Sequence, residues 1–159
     1  MQSPDPLVVV LATGGTIAGL ADKAGDNTGY RAGQVGIAEL LAALPASMRL
    51  RVEAEQVAQI DSKDADFAFW QRLAQRVAAQ LARAEVRGVV VTHGTDTLEE
   101  TAYLLHRVLA PAKPVVLSAA MRPANALSAD GPQNLLDALA LAAHADARGV
   151  LATMAGRVF

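Results

Sequence analysis

Three observations predict an α/β fold, a three-layer sandwich with a largely parallel sheet flanked by helices. Short β-branched runs alternate with longer stretches whose apolar residues recur at helical spacing. The runs Leu7–Ala12 and Gly88–Thr92 are almost continuously apolar, as strands covered on both faces are. The stretches between the runs are long enough to be helices that pack on both faces of the sheet.

The elements follow in order. Leu7-Val-Val-Val-Leu-Ala12 is the first strand and ends in Thr13-Gly-Gly-Thr16. Residues 19–33 mix Gly, Asp, Asn and Lys without periodicity and are expected to form a long loop, which in compact domains tends to be functional or disordered. Ile37–Leu44 reads as a short helix stopped by Pro45, and Leu50–Ile60 as an alternating strand. From Asp66 onward, Phe67, Trp70, Ala74, Val77 and Leu81 are expected to form the buried stripe of a helix, which makes Phe67 and Trp70 core residues rather than a ligand cage. Gly88–Thr92 is a second buried strand. It leads through Gly94-Thr-Asp96 into a helix whose start carries the capping-box spacing Thr97-Leu-Glu-Glu100 and whose buried stripe is Leu98, Ala102, Leu105 and Leu109. Pro114–Ala119 is a third strand, Asn134–His144 a long helix approached by Asp130-Gly-Pro132, and Gly149–Met154 begins another strand. The sheet is expected to stop there with an unpaired edge, so that residues 1–159 make one domain, incomplete at its C-terminal end.

Composition narrows the function classes. Aromatics make up 4% of the chain against 52% hydrophobic residues, so aliphatic side chains and alanine must build the core. A net charge of −2 with scattered arginines argues against a nucleic-acid partner. The absence of cysteine removes disulfides, thiolate metal sites and a thiol nucleophile together. No apolar stretch approaches the ~20 residues of a spanning helix, so no membrane partner is expected. The chain is expected in the cytoplasm, with a periplasmic protein whose leader has been removed as the alternative. His93, His106 and His144 fit no metal-binding spacing, so no metal site is expected. His106 and His144 read as surface helix residues and His93 as a packing or hydrogen-bonding group.

Ligands of open parallel sheets bind beyond the carboxyl ends of the strands. Two such ends carry related segments, Ala12-Thr-Gly-Gly-Thr16 and Val91-Thr-His-Gly-Thr-Asp96. In each, glycine allows a sharp turn and the following threonine displays a hydroxyl at the mouth of the sheet. Two hydroxyls on one rim, with backbone N–H donors between them, suit acyl transfer, one as nucleophile and the other beside an oxyanion site. Each segment alone fits an ordinary strand-to-helix turn or a phosphate-binding turn equally well, and Asp96 alone fits a helix-dipole charge. Neither a P-loop nor a G-x-S-x-G elbow is present.

Ala12-Thr-Gly-Gly-Thr-Ile-Ala18 and Val91-Thr-His-Gly-Thr-Asp-Thr-Leu-Glu-Glu-Thr101 resemble the two signatures of the asparaginase/glutaminase family, and Ala120-Met-Arg-Pro123 with Ser128-Ala-Asp-Gly-Pro132 resembles a third family block. The three blocks stand in family order across nearly the whole chain. The resemblance implies that Thr16 is the nucleophile that attacks a side-chain amide, and that Tyr30, on a mobile lid, hydrogen-bonds it. It implies that Thr95 and Asp96 are the second threonine and the aspartate that holds the substrate's α-ammonium. Ser62 would bind the α-carboxylate, and Ala120 would make a backbone contact to the substrate amide. Lys63 stands where some relatives carry glutamine and would meet the α-carboxylate as a direct charge pair. Ala119 replaces the glycine that often precedes the third block.

The implied activity is conversion of L-asparagine and water to L-aspartate and ammonia through a threonine-linked acyl-enzyme, without metal or organic cofactor. The alternatives are a glutaminase-asparaginase of mixed specificity and a catalytically incompetent amino-acid-binding fragment. An amidotransferase subunit would need an appended domain. The family's catalytic lysine has no match at Lys23, Lys63 or Lys113, so the resemblance implies an N-terminal catalytic domain without its C-terminal partner, inactive by itself and a homo-oligomer, a dimer of dimers, when full length.

Overall fold

The computed structural model describes residues 5–23, 26, 29–45 and 50–159. Residues 24, 25, 27 and 28 of the expected long loop lie outside the described residues, as do 1–4 and 46–49. In chain order the elements are β1 (Leu7–Gly14), a 3-10 turn (Thr16–Ala18), β2 (Leu20–Ala21), β3 (Tyr30–Arg31), α1 (Ile37–Ala42), β4 (Arg51–Ile60), a second 3-10 turn (Ser62–Asp64), α2 (Phe67–Leu81), β5 (Val86–Thr92), α3 (Leu98–Leu109), β6 (Val115–Ser118), α4 (Gly131–Ala143), β7 (Val150–Met154) and β8 (Arg157–Val158).

Six strands form one sheet in the order β4-β1-β5-β6-β7-β8, parallel except for β8, which returns antiparallel on β7. The apolar runs occupy its centre. Every residue of β1 and β6 is buried, whereas β4 at the edge alternates between covered and exposed positions. The period-2 alternation of a strand divides the aliphatic residues between two cores. Val8, Val10, Val90 and Val116 pack under α1 and α4 with Ile37, Leu135, Ala138, Leu139 and Ala142. Val9, Leu11, Val89, Val91, Val115 and Leu117 pack under α2 and α3 with Phe69, Leu73, Val77 and Leu105. This is the three-layer α/β sandwich.

Helix placement and strand order fix the relative hand of the crossovers. The links through α2 and α3 step toward β8 on one face, and the link through α1 steps the opposite way on the other face, so these three share a hand. The β6–α4–β7 link steps toward β8 on the α1 face and has the opposite hand, which is rare because nearly all such crossovers are right-handed. The chain leaves β1 toward β4 and leaves β5 toward β6. The crevice of an open sheet therefore opens between the carboxyl ends of β1 and β5.

Several elements differ from the sequence reading. The buried stripe of α2 is Phe69, Leu73 and Val77, while Phe67 is 83% exposed and meets the half-buried Trp70 edge-on at 5.9 Å. Asp66 caps the helix by accepting from Phe69 N at 2.7 Å, which puts Phe67 at the first helical position. A helical side chain covers the turn before its own Cα, and at that position there is no such turn. The Thr97–Glu100 spacing does not form a capping box: Thr97 makes no cap hydrogen bond, and its side chain is turned to Ser62 O, to which the hydroxyl donates at 2.9 Å. α4 begins at Gly131, three residues before the expected start, with Pro132 in the first turn, where a missing N–H costs nothing. The expected 19–33 loop contains a small antiparallel ribbon of β2 and β3. The edge beyond β7 is paired by β8 through a two-residue turn at Ala155 and Gly156, both at positive φ (53° and 71°), a geometry that matches strand twist. No helix among the described residues is long and apolar enough to cross a membrane.

The stripe assignment has a direct consequence. Leu73→Ala is expected to destabilise the protein by about 2–5 kcal/mol in urea denaturation, and Phe67→Ala by within about 0.5 kcal/mol. Equal losses from the two substitutions would reject the observed orientation of α2.

Candidate active site

The carboxyl ends of β1 and β5 are welded together by small residues and one hydroxyl. Thr13 Oγ1 donates to Thr92 O at 2.7 Å across the pair. Just beyond, Gly15 (φ 76°) has its backbone pressed against that of Gly94, so that a Cβ on Gly15 would lie 2.4 Å from Gly94 N and 2.6 Å from its Cα. No other residue fits at position 15, on either conformational or steric grounds. Thr16 and Thr95 each follow a member of this touching pair, which bounds the separation of their Cα atoms at roughly 12 Å. The two threonines therefore share one rim of the sheet.

Four further residues join them. Thr16 is 8% exposed, and its Oγ1 lies 2.7 Å from the Tyr30 hydroxyl. Tyr30 sits on β3, which is drawn to the rim by Gly33 N donating to Gly15 O at 3.1 Å. Ser62 follows edge strand β4, is 3% exposed, and accepts at Oγ from Asp96 N at 3.1 Å. The space its hydroxyl occupies exists only because residue 94 is glycine, since a Cβ there would lie 2.4 Å from Ser62 Oγ. Ser62 Oγ thus spends an acceptor site on the Asp96 backbone and keeps its own proton to donate. The Asp96 side chain is exposed at the start of α3. Ala120, fully buried, follows β6 and lies beside Ile17 and Gly131, the residue after Thr16 and the first residue of α4.

Lys63 adjoins this group, but its ammonium pairs with Asp61 at 2.6 Å. The hydrogen bond between them raises the lysine above its ordinary range and holds the Asp61 carboxyl below its own. Lys63 thus carries an ion pair with Asp61 beside the rim. Lys113 is likewise engaged, donating to the carbonyls of Leu81, the last residue of α2, and Arg83 just beyond it.

His93 supports the rim from behind. It is 1% exposed, with Nδ1 2.8 Å from Gly94 O and Nε2 3.0 Å from Thr101 Oγ1, which also accepts from Trp70 Nε1 at 2.9 Å. A carbonyl only accepts, so Nδ1 carries the proton. Nε2 is then an acceptor, and the Thr101 hydroxyl donates to it. The ring is neutral and has no free nitrogen for acid–base work. Burial pushes its pKa below the ordinary 6.5, outweighing the Gly94 carbonyl and the charge of Glu100.

The sequence reading missed Thr13, Thr101, Asp130 and Asn134. Thr13, Thr101 and Asp130 lie inside the quoted sequence blocks, but nothing local showed what their side chains hold. All four act across elements that only the folded chain brings together.

Residues 7–159 match the family described as "Asparaginase, N-terminal". The chain belongs to the asparaginase N-terminal family. It is 47% identical over 150 residues to a glutaminase-asparaginase of Pseudomonas fluorescens biotype A, covering 92% of this chain and 41% of that protein. It is 45% identical over 145 residues to L-asparaginase 2 of Bacillus subtilis, covering 91% and 39% of the two chains. A crystal structure of a probable cytoplasmic L-asparaginase from Campylobacter jejuni superposes with a TM-score of 0.93 at 43% identity, over 98% of this chain and 48% of that one. The chain spans about two fifths of the length of the curated relatives it matches.

Two outcomes follow from this geometry. Gly15→Ala is expected to cost more than about 3 kcal/mol, or to prevent folding, because backbone strain and a backbone clash combine there; a variant melting within a few degrees of wild type would contradict the close approach. The second concerns pH. The unfolded chain takes up a proton at His93 near 6.5 and the folded one only at lower pH, so the contribution of this residue to stability is complete above 6.5 and shrinks as pH falls from there toward the folded value. Melting curves between pH 8 and 5 should show a loss in wild type that is reduced in His93→Gln. Parallel curves would disprove it.

Proposed function

We propose that the protein carrying this domain is an amidohydrolase that converts L-asparagine and water to L-aspartate and ammonia through an ester on Thr16, and that it accepts L-glutamine as a secondary substrate. The observation that carries the reading is the Thr16–Tyr30 hydrogen bond on the rim shared with Thr95, in a chain of the asparaginase N-terminal family. The name glutaminase-asparaginase of the Pseudomonas relative supports the wider substrate range. One methylene is worth only about 1–3 kcal/mol in a pocket, so a preference between the two amides is a matter of degree.

The chemistry fits the groups present. A free amino acid brings an ammonium and a carboxylate side by side, so its site needs an anion and a hydrogen-bond donor at close quarters. In this reading Asp96 takes the ammonium and the Ser62 hydroxyl the carboxylate, while the paired Lys63 contributes its field. Thr16 Oγ1 attacks the side-chain amide carbon, passing its proton toward Tyr30 or the Thr95 side. The C–N bond breaks, ammonia leaves with the added proton, and water then cleaves the ester to release aspartate and restore the hydroxyl. The Ala120 backbone contacts the amide, and the segment bearing Tyr30 acts as a lid that excludes water. The likeness to the family supports self-association of the whole protein as a dimer of dimers. The name of the Campylobacter relative supports the cytoplasm, and the name of a 44% identical relative from Haemophilus influenzae, probable L-asparaginase periplasmic, supports the periplasmic alternative.

Ammonia release from asparagine and glutamine tests the proposal. Thr16→Ala is expected to lower turnover by roughly 10³-fold or more while aspartate still binds, and Asp96→Asn to raise KM steeply. Unchanged turnover in Thr16→Ala would refute the assignment. Binding of aspartate with no turnover by the wild-type protein would leave an amino-acid-binding function in its place.

A further inference from the structure

The turn after β6 is held from both sides by two side chains at the start of α4. Asn134, 2% exposed, donates from Nδ2 to Ala119 O at 2.9 Å and to Asp130 Oδ2 at 3.2 Å, and accepts at Oδ1 from Ala155 N at 3.0 Å. The Asp130 carboxylate accepts from Met121 N on one oxygen and from Arg122 N on the other, both at 2.9 Å. Three backbone groups of residues 119, 121 and 122 are thus fixed, and Ala120 lies between them. Among the described residues, neither the N–H nor the carbonyl of Ala120 makes a hydrogen bond of its own.

We propose that Asn134 and Asp130 are positioning residues for catalysis: they set the backbone of Ala120 against the scissile amide. This rests on the amidohydrolase reading of the rim. The physical case is the kind of bond employed. The two bonds to Asp130 are charge-assisted and so among the stronger ones available to a backbone N–H. Asn134 is a buried amide whose donor and acceptor are both satisfied, so replacing either group leaves a partner unpaired in the interior. The clamp also ties the turn to α4 and to the β7–β8 hairpin through Ala155. The hydrogen bonds leave Ala120 little freedom to shift, and a shift of about 1 Å at a reacting group is enough to cost ~10²-fold in rate.

The test uses the full protein with Thr16→Ala as the inactive reference. Asn134→Asp keeps the shape but removes both Nδ2 donors and sets a second carboxylate beside Asp130. Asp130→Asn keeps the shape but leaves a single acceptor for two N–H groups. Both variants are expected to lose about 10–100-fold in kcat. KM should hold within about threefold, because Ser62 and Asp96 are untouched. Hydrogen exchange at the Met121 and Arg122 amides should accelerate in Asp130→Asn. A folded Asp130→Asn enzyme with kcat within about twofold of wild type would overturn the proposal, and so would a rise in KM matching the fall in kcat, which is the mark of general loosening. If Asn134→Asp does not fold, Asp130→Asn decides alone. A wild-type protein that releases no ammonia from either amide overturns the amidohydrolase reading and this proposal with it, whereas active wild type with unaffected clamp variants overturns only the clamp.

Discussion

The backbone contact between Gly15 and Gly94 is the constraint on which the rest of the rim depends. Two adjacent parallel strands ordinarily diverge at their carboxyl ends, where one turns toward each face of the sheet. Here the turns stay in van der Waals contact, because neither residue carries a side chain. Three consequences follow from that one approach. Thr16 and Thr95 are carried to the same crevice, the Ser62 hydroxyl gains the space over residue 94, and Gly33 N reaches Gly15 O to bring β3 and Tyr30 over Thr16. A Cβ at Gly15 would press into the Gly94 backbone and one at Gly94 into the Ser62 side chain, so the rim is assembled by steric permission before any polar contact is counted.

Below the rim the sheet changes character along one register row. Gln56, Ala12, Thr92, Ser118 and Thr153 are neighbours across β4, β1, β5, β6 and β7, at the level where the aliphatic core gives way to polar side chains. Gln56 accepts from Ile37 N and so supplies the cap that Gly36 lacks at α1. The Ser118 hydroxyl lies within hydrogen-bond distance of the carbonyls of Asn134 and Thr153. This row anchors the two helices of one face. It also bears on the crossover of unusual hand, since α4 is fastened at its start by Ser118 beneath and by Asn134 and Asp130 to the turn it follows. A connection that strand twist disfavours is thus held by local hydrogen bonds, and the groups that hold it surround Ala120.

What the sequence showed and what it hid divide along a physical line. Apolar runs of four to eight residues, glycines after strands and helix-length separations are local signals, and from them the parallel sheet and the two threonine-bearing ends were legible. Of the α2 stripe read from sequence, Val77 is buried, and Trp70, Ala74 and Leu81 pack against the same core. The most buried series runs through Phe69, Leu73 and Val77, however, and Phe67, first after the Asp66 cap, turns away. The capping-box spacing at Thr97 was matched by sequence, yet the Thr97 side chain is turned to the Ser62 carbonyl and caps no helix N–H. The Trp70–Thr101–His93 chain and the Asp130–Asn134 clamp each join residues from different elements, or a helix to the turn before it, and no spacing rule encodes them. Ser62 is the instructive case. Read locally it is a serine ending a strand, and only the fold shows its hydroxyl against the Asp96 backbone.

The histidine bears on how protons move at this site. An imidazole one residue from Gly94 would be the first candidate for a base, yet both its nitrogens are committed, one to the carbonyl of the glycine that makes the rim and the other to Thr101. Protonating it would take away the acceptor of the Thr101 hydroxyl proton, in a place already hostile to charge. The imidazole thereby holds Gly94 where Gly15 can touch it, and on the amidohydrolase reading proposed above the Thr16 proton first meets a hydroxyl link. The first such link is the 2.7 Å contact between Thr16 and Tyr30. A phenol both donates and accepts, so it can pass a proton along without keeping it. On the amidohydrolase reading proposed above, the reactivity of Thr16 would therefore depend on the position of the segment that carries Tyr30.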